Sequence, residues 1–119
     1  VLGAVGGGRD KAKRPKLGKL ASQYAKYVII TNEDPYDDDP MEIIEQVEQG
    51  VLGDTRRVLN QNYWKILDRR EAIKKAVALA KRGDVIAVTG KGAEEVMAVK
   101  GGLISWDDRV VVKEVLGMK

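Results

Sequence analysis

Tyr27-Val28-Ile29-Ile30-Thr31 runs directly into Asn32-Glu33-Asp34-Pro35-Tyr36-Asp37-Asp38-Asp39-Pro40, and the fold follows from how the two halves differ. The first half is short, β-branched and continuously apolar. A strand with polar alternation has one wet face, whereas an unbroken run like this fits a parallel sheet covered on both faces. The second half holds two prolines and five carboxylates, so it fits neither a strand nor a helix interior. A rigid acidic loop therefore leaves the carboxyl end of a buried strand, the edge at which open parallel α/β sheets bind ligands. Asp39 suits the cap of the following helix. Capping does not account for Glu33 and Asp34, which stand at the strand end itself.

Working outward, the same alternation recurs. Val1-Leu2-Gly3-Ala4-Val5 reads as a short buried strand. It enters Gly6-Gly7-Gly8-Arg9-Asp10-Lys11-Ala12-Lys13-Arg14-Pro15, where glycines allow a sharp turn and free N–H groups, and Arg9, Lys11, Lys13 and Arg14 suit an anion. The spacing of a phosphate loop or of a dinucleotide fingerprint is absent. Lys16 to Lys26 reads as a helix with Leu17, Leu20, Ala21, Tyr24 and Ala25 on its core face. Asp39-Pro40-Met41-Glu42 opens a second helix that buries Ile43, Ile44 and Val47 and stops at Gly50. Val51 to Asn62 reads as a helix end and a loop, with Arg56 and Arg57 in solvent.

Tyr63 to Leu67 is the next expected strand. Asp68 caps a helix to Lys81-Arg82, with Ala72, Ile73, Ala76, Val77 and Ala80 buried and Gly83 beyond its end. Val85 to Thr89 is a further apolar strand, again followed by a glycine loop, Gly90-Lys91-Gly92-Ala93-Glu94-Glu95. Val96–Val99 and Leu103–Trp106 flank Lys100-Gly101-Gly102 as an antiparallel hairpin. Asp107 caps a last helix with Val111, Val112, Val115 and Leu116 apolar. Trp64 and Trp106 read as packing residues.

The expected fold is α/β: an open, mostly parallel, Rossmann-like sheet with helices on both faces and an antiparallel edge hairpin. In such a sheet the Gly6–Arg14, Asn32–Asp38 and Gly90–Glu95 loops gather on one edge. A basic loop, an acidic loop and a Lys/Glu loop around one crevice suit a zwitterion, because arginine forks onto a carboxylate and carboxylates hold an ammonium. An amino acid is the simplest ligand of that kind. Within that reading Lys91 serves to neutralise nearby acids, and Asp37 and Asp38 face solvent.

Composition narrows the classes. At 119 residues the chain is one domain, and 44% hydrophobic with 33% charged residues places it among globular rather than disordered chains. A net charge of +3 is too mild to argue for nucleic acid. With no cysteine and no histidine, disulfides, Cys/His metal sites and histidine-based nucleophile systems are excluded within these residues. Asp37 and Asp38 lack the spacing and glycine of a calcium loop, so no metal site is expected here. No apolar run reaches the length of a membrane span and no signal peptide precedes the first strand, so neither a membrane partner nor secretion is expected and the location expected is cytoplasmic. Val1 stands in an apolar run with no methionine before it, and the expectation is a piece of a longer polypeptide.

The loops resemble the C-terminal domain of the Mur ligases, in the branch that adds the third residue of the peptidoglycan stem peptide. The resemblance rests on Gly7 to Pro15, Thr31-Asn32-Glu33-Asp34-Pro35-Tyr36, Thr89-Gly90-Lys91-Gly92-Ala93-Glu94 and Asp107-Asp108-Arg109, four ordered stretches covering essentially the whole chain. It implies an ATP-dependent ligase acting through an acyl phosphate, with UDP-N-acetylmuramoyl-L-alanyl-D-glutamate and a diamino acid, lysine-like or diaminopimelate, as substrates. This domain would bind the incoming amino acid and close over ATP, with ATP and Mg2+ held mainly by a central ATPase domain outside these residues. Residue by residue, the resemblance assigns Arg9 to the incoming carboxylate. It assigns Glu33, Asp34, Pro35 and Tyr36 to the specificity stretch, Gly90 and Glu94 to further contacts, and Asp10 and Lys11 to the neighbourhood of the nucleotide.

Tyr36 stands where diaminopimelate-adding enzymes carry arginine, Ala93 where the family usually has histidine, and Gly8 where it often has an acid. The Gly-Lys-Thr phosphate loop, the magnesium carboxylates and the Asp-Tyr-Ala-His segment of the family are absent from the chain. The expectation is therefore a domain inactive alone, lacking its first strand–helix segment and the central and UDP-binding domains. A free-standing binding module of the same fold is the alternative. A folate polyglutamate ligase fits the specificity stretch less well.

Overall fold

The computed structural model describes residues 1–7, 11–91 and 94–117. Its elements are α1 (Lys13–Tyr24), β1 (Val28–Thr31), α2 (Pro40–Leu52), β2 (Tyr63–Ile66), α3 (Arg69–Leu79), β3 (Val96–Val99), β4 (Gly102–Ser105) and α4 (Asp108–Gly117). β1 and β2 pair in parallel, with Val28 opposite Tyr63 and Thr31 opposite Ile66. On the other side of β1, Leu2 forms a parallel bridge to Ile30, donating to the Ile29 carbonyl at 2.9 Å and accepting from the Thr31 amide at 2.8 Å. β1 thus has backbone neighbours on both sides and is buried at all four positions, which is why its sequence is apolar without alternation.

Helices cover both faces. Val28 and Ile30 pack with Ile43, Ile44, Val47 and Val51 of α2. Ile29 and Trp64 point the other way, against Ala72 and Ala76 of α3. α4 lies outside α3, where Ile73 and Val77 meet Val111 and Val115. The caps form as expected: Asp39 accepts from the Met41 amide at 2.9 Å with Pro40 at the first helical position, and Asp68 accepts from the Glu71 amide at 3.1 Å.

Several expectations are corrected. α1 does not bury Leu17, Leu20, Tyr24 and Ala25. Leu20 is 53% and Tyr24 86% exposed, and the buried residues are Arg14, Gly18 and Ser22. α1 lies against α2 backbone to backbone, and only small side chains fit there. Any Cβ at Gly18 would lie 1.9 Å from the Val47 carbonyl oxygen, and one at Gly50 would lie 1.8 Å from that of Pro15. Gly50 is therefore a contact residue inside α2, which runs on to Leu52, and not its stop.

Arg57 is not solvated. It donates to the Ser22 carbonyl at 2.8 Å and to Asn62 at 3.1 Å, and also reaches the carbonyls of Ala25 and Lys26. It satisfies the open carbonyls at the end of α1, which no glycine cap closes. α3 ends at Leu79 rather than at Arg82, because Ala80 turns extended and Asp84 accepts from the Lys81 amide at 2.8 Å. Leu116 of α4 is half exposed.

Residues 85–89 do not form a strand. Their backbone bonds to Val1 at two points, where the Val1 nitrogen donates to Ala87 O at 2.8 Å and Val1 O accepts from the Thr89 amide at 3.0 Å. Two bonds do not make a ladder, and Val85 stays 92% exposed. The first five residues likewise hold to β1 by a single bridge rather than as a full strand. β3 and β4 form an antiparallel pair of their own, Val96 opposite Ser105 and Val99 opposite Gly102.

Candidate functional site

The acidic loop starts where β1 ends, and its shape is set by its neighbours. The Gly6 amide donates to Asp34 O at 2.8 Å and the Gly7 amide donates to Asp38 Oδ2 at 3.1 Å, so the first glycine loop lies along it. On another side, the hairpin grips it through Ala98. The Ala98 amide donates to Asp34 Oδ1 at 2.8 Å, and Ala98 O accepts from the Tyr36 amide at 3.1 Å. Tyr36 takes φ 53°, a left-handed conformation that costs a bulky side chain on the order of 1 kcal/mol. These backbone bonds hold it there, with its ring over Gly7, where an added Cβ would come within 3.0 Å of it. Pro35 is buried, and its carbonyl accepts from the Asp38 amide at 3.0 Å.

The second glycine loop closes the arrangement. Gly90 has φ 104° and faces Glu33 so closely that a Cβ there would lie 1.8 Å from Glu33 Oε1. Only glycine gives both that backbone and that clearance. Lys91 is 2% exposed, and its Nζ donates to Asp34 Oδ1 at 2.8 Å and to Glu94 Oε2 at 2.7 Å. Burial works against the Lys91 charge, but the bonds to Asp34 and Glu94 outweigh it and hold the ammonium above the usual lysine range. Glu33 is 6% exposed, and burial raises its carboxyl above the ordinary glutamate value. Arg69 draws it back, while Asp34 and Glu94 add to the rise.

Beneath the loops lies Arg69, the first residue of α3. Its guanidinium forks onto Asp108 at 2.8 Å to each oxygen, and also donates to Asn32 O at 3.1 Å and Thr89 O at 2.9 Å. Trp106 Nε1 donates to the same Asp108 oxygen at 2.7 Å. Burial pushes the Asp108 carboxyl up, and the hydrogen bonds from Arg69 and Trp106 more than reverse this, leaving it below the usual aspartate range. One arginine thus ties the ends of β1 and of residues 85–89 to the start of α4.

Glu33, Asp34, Pro35, Tyr36, Gly90 and Glu94 are brought together at one edge, and Gly6 and Gly7 lead the first glycine loop to the same place. Arg9 and Asp10 lie outside the described residues, as does Ala93. Lys11 is exposed just ahead of α1. Arg14 is a correction, since it is turned inward rather than offered to an anion. It bonds Val5 O at 3.1 Å, Asp38 Oδ2 at 3.4 Å and the Gln46 side chain. Asp38 is correspondingly half-buried rather than solvent-facing, since both Arg14 and the Gly7 amide use it.

Reading the sequence gave Lys91 only the part of neutralising acids, and Arg69 none. The available signal for Lys91 was a lone cation between two glycines after an apolar run. For Arg69 it was an arginine directly after a helix cap. Two clefts lie elsewhere: about 430 Å³ beside Val1, Tyr24, Leu79 and Val85, and about 580 Å³ between α1 and the end of α2.

The family described as "Mur ligase, glutamate ligase domain" matches residues 1–92. Among curated proteins, the chain is 42% identical over 117 residues to the UDP-N-acetylmuramoyl-L-alanyl-D-glutamate--2,6-diaminopimelate ligase of Aquifex aeolicus, covering 98% of this chain and 23% of that protein. The ligases of the same name from Caldanaerobacter subterraneus and Listeria innocua are each 43% identical, over 98% and 92% of this chain and 23% and 21% of theirs. A solved structure of a ligase of that name superposes with a TM-score of 0.85 at 34% identity, over 98% of this chain and 23% of that one. The chain therefore spans about a quarter of the length of the curated relatives it matches.

Proposed function

This chain belongs to the Mur ligase family, in its glutamate ligase domain, and on that footing we propose that it is the amino-acid-binding domain of an ATP-dependent peptide-bond-forming ligase. The full polypeptide would add a diamino acid to UDP-N-acetylmuramoyl-L-alanyl-D-glutamate in peptidoglycan precursor synthesis. The relatives named for that substrate and for diaminopimelate support the reading. The observation that carries it is the meeting of three loops at the end of β1, seen in Lys91 bonding Asp34 and Glu94, Gly90 facing Glu33, and Gly7 donating to Asp38.

The chemistry follows from the charges. An incoming amino acid must be gripped by its α-carboxylate so that its amine points at the acyl carbon, and Arg9 is the residue we assign to that grip. Glu33 and Glu94 supply negative charge for a distal ammonium. Tyr36 offers no positive charge to a distal carboxylate, which favours a lysine-like residue over diaminopimelate. ATP would supply the phosphoryl group that activates the acceptor carboxylate. The sequence holds no Gly-Lys-Thr loop, so ATP and Mg2+ belong mainly to a separate central domain, with Asp10 and Lys11 near the nucleotide. The apolar cleft beside Val1 and the exposed Val85 support a preceding strand–helix segment of the same polypeptide packing there.

The test is calorimetric titration of the chain with lysine, ornithine and diaminopimelate. Lysine is expected to bind most tightly, Arg9→Ala to abolish binding, and Tyr36→Arg to move the preference toward diaminopimelate. Equal indifference of the parent and Arg9→Ala to all three amino acids would overturn the assignment. In a coupled phosphate-release assay the isolated chain is expected to be inactive.

A further inference from the structure

Two of the acids placed at the amino-acid site are already engaged within the protein. Asp34 Oδ1 accepts both Lys91 Nζ at 2.8 Å and the Ala98 amide at 2.8 Å, and Glu94 Oε2 accepts Lys91 Nζ at 2.7 Å. The Lys91 side chain is 1% exposed, so its ammonium is enclosed between the acidic loop and the second glycine loop rather than presented to solvent. Ala98 belongs to β3, so the chain Glu94–Lys91–Asp34–Ala98 joins both loops to the hairpin. Glu33 stands beside it, buried against Gly90. Without Lys91, the Asp34 and Glu94 carboxylates would face one another across two loops without the ammonium that now bridges them, and like charges at such spacing push loops apart.

We propose that Lys91 is a positioning residue of the amino-acid site: its ammonium locks the acidic loop to the second glycine loop and holds the Asp34 carboxylate inward, as a strut rather than a ligand contact. Recognition of a distal ammonium then falls to Glu33 and to Glu94, whose side chain stays 56% exposed although its Oε2 holds Lys91, and Asp34 acts by setting where Glu33 stands. The inference rests on the amino-acid-site reading for its effect on binding, but the strut itself can be tested without any ligand.

The experiment uses the 119-residue chain with Lys91→Met, Lys91→Arg, Asp34→Asn and the Lys91→Met/Asp34→Asn pair. Amide hydrogen exchange is followed at Ala98, and at Thr31 as a reporter of the sheet. Lysine and diaminopimelate are then titrated against each variant. Lys91→Met is expected to speed exchange at Ala98 by at least about tenfold while Thr31 stays protected, and to weaken lysine binding by about tenfold, because it strands a buried carboxylate. Lys91→Arg is expected to keep most of both properties. The double variant is expected to regain much of both, since removing the Asp34 charge removes the need for the cation; a residue that merely filled space would show no such rescue.

Unchanged Ala98 exchange in Lys91→Met, or a loss that Asp34→Asn does not reverse, overturns the proposal. If Lys91→Met also exposes Thr31, Asp34→Asn alone decides, with faster exchange at Ala98 supporting the strut and unchanged exchange refuting it. If the parent chain binds neither amino acid, the amino-acid-site reading falls, while the Ala98 exchange still judges the strut.

Discussion

Arg14 and Arg69 lie on opposite faces of the same sheet, and each is only 2% exposed, yet they are held differently. Arg69 has a two-pronged pair with a buried aspartate and bonds to the Asn32 and Thr89 carbonyls, at 2.8 to 3.1 Å. Arg14 reaches a carbonyl, a glutamine and, at 3.4 Å, an aspartate whose side chain is one-third exposed, and its Nε is buried with no hydrogen-bond partner among the described residues. Burial alone does not say what a charged side chain contributes. What counts is what its removal leaves behind, and for Arg69 that is a carboxylate almost shut off from water.

The sharpest way to break the comparison is to truncate both. Arg69→Met is expected to destabilise by about 3–5 kcal/mol in urea denaturation, through the stranded Asp108 and the opened carbonyls. Arg14→Met is expected to cost no more than about 1–2 kcal/mol, because Asp38 can turn to water. Equal losses would show that the quality of the pairing is irrelevant here.

A somewhat smaller effect tests how the two faces pack. α1 meets α2 through glycines, whereas α3 meets α4 through Ile73, Val77, Val111 and Val115. Gly50→Ala is expected to cost about 2–3 kcal/mol, because its methyl group would drive the helix backbones apart. Gly117→Ala, at the end of α4 with nothing within 4 Å, is expected to stay within about 0.5 kcal/mol of the parent.

The smallest effects are in pH dependence, where Glu33 and Asp108 have opposite signs. The folded-state value of Glu33 lies above its ordinary 4.5, so the folded chain binds that proton more readily than the unfolded one. The stability this confers is present below 4.5 and is lost as pH rises through the folded value. Glu33→Gln is therefore expected to stabilise the chain at neutral pH, with the gain vanishing below about 4.5. Asp108 is depressed below 3.8, so its contribution is present above that value and is lost as pH falls through the folded one. Denaturation midpoints measured from pH 3 to 7 for the parent, Glu33→Gln and Asp108→Asn check both signs, and parallel curves would refute them.

Legibility from the sequence was uneven for physical reasons. The buried strand, the caps at Asp39 and Asp68 and the hairpin around Lys100-Gly101-Gly102 depend on local chemistry, and they formed where expected. The face of α1 did not, because helical periodicity finds apolar residues but cannot tell whether a partner helix will come close enough to require glycine instead. Arg57 and Arg14 were misread in the same way: a charged side chain in a loop looks solvated until the carbonyls or acids it serves are folded around it. Lys91 lay in plain view, but its meaning depended on Asp34, fifty-seven positions away.

By itself the sequence determined the buried strand β1, the helix caps, the hairpin and the family to which the chain belongs, because periodicity, caps and loop chemistry are short-range properties. Tertiary structure alone decided which charges face inward. An ion pair between distant loops exists only after the backbone has brought them together, and its worth depends on how much water the fold then excludes.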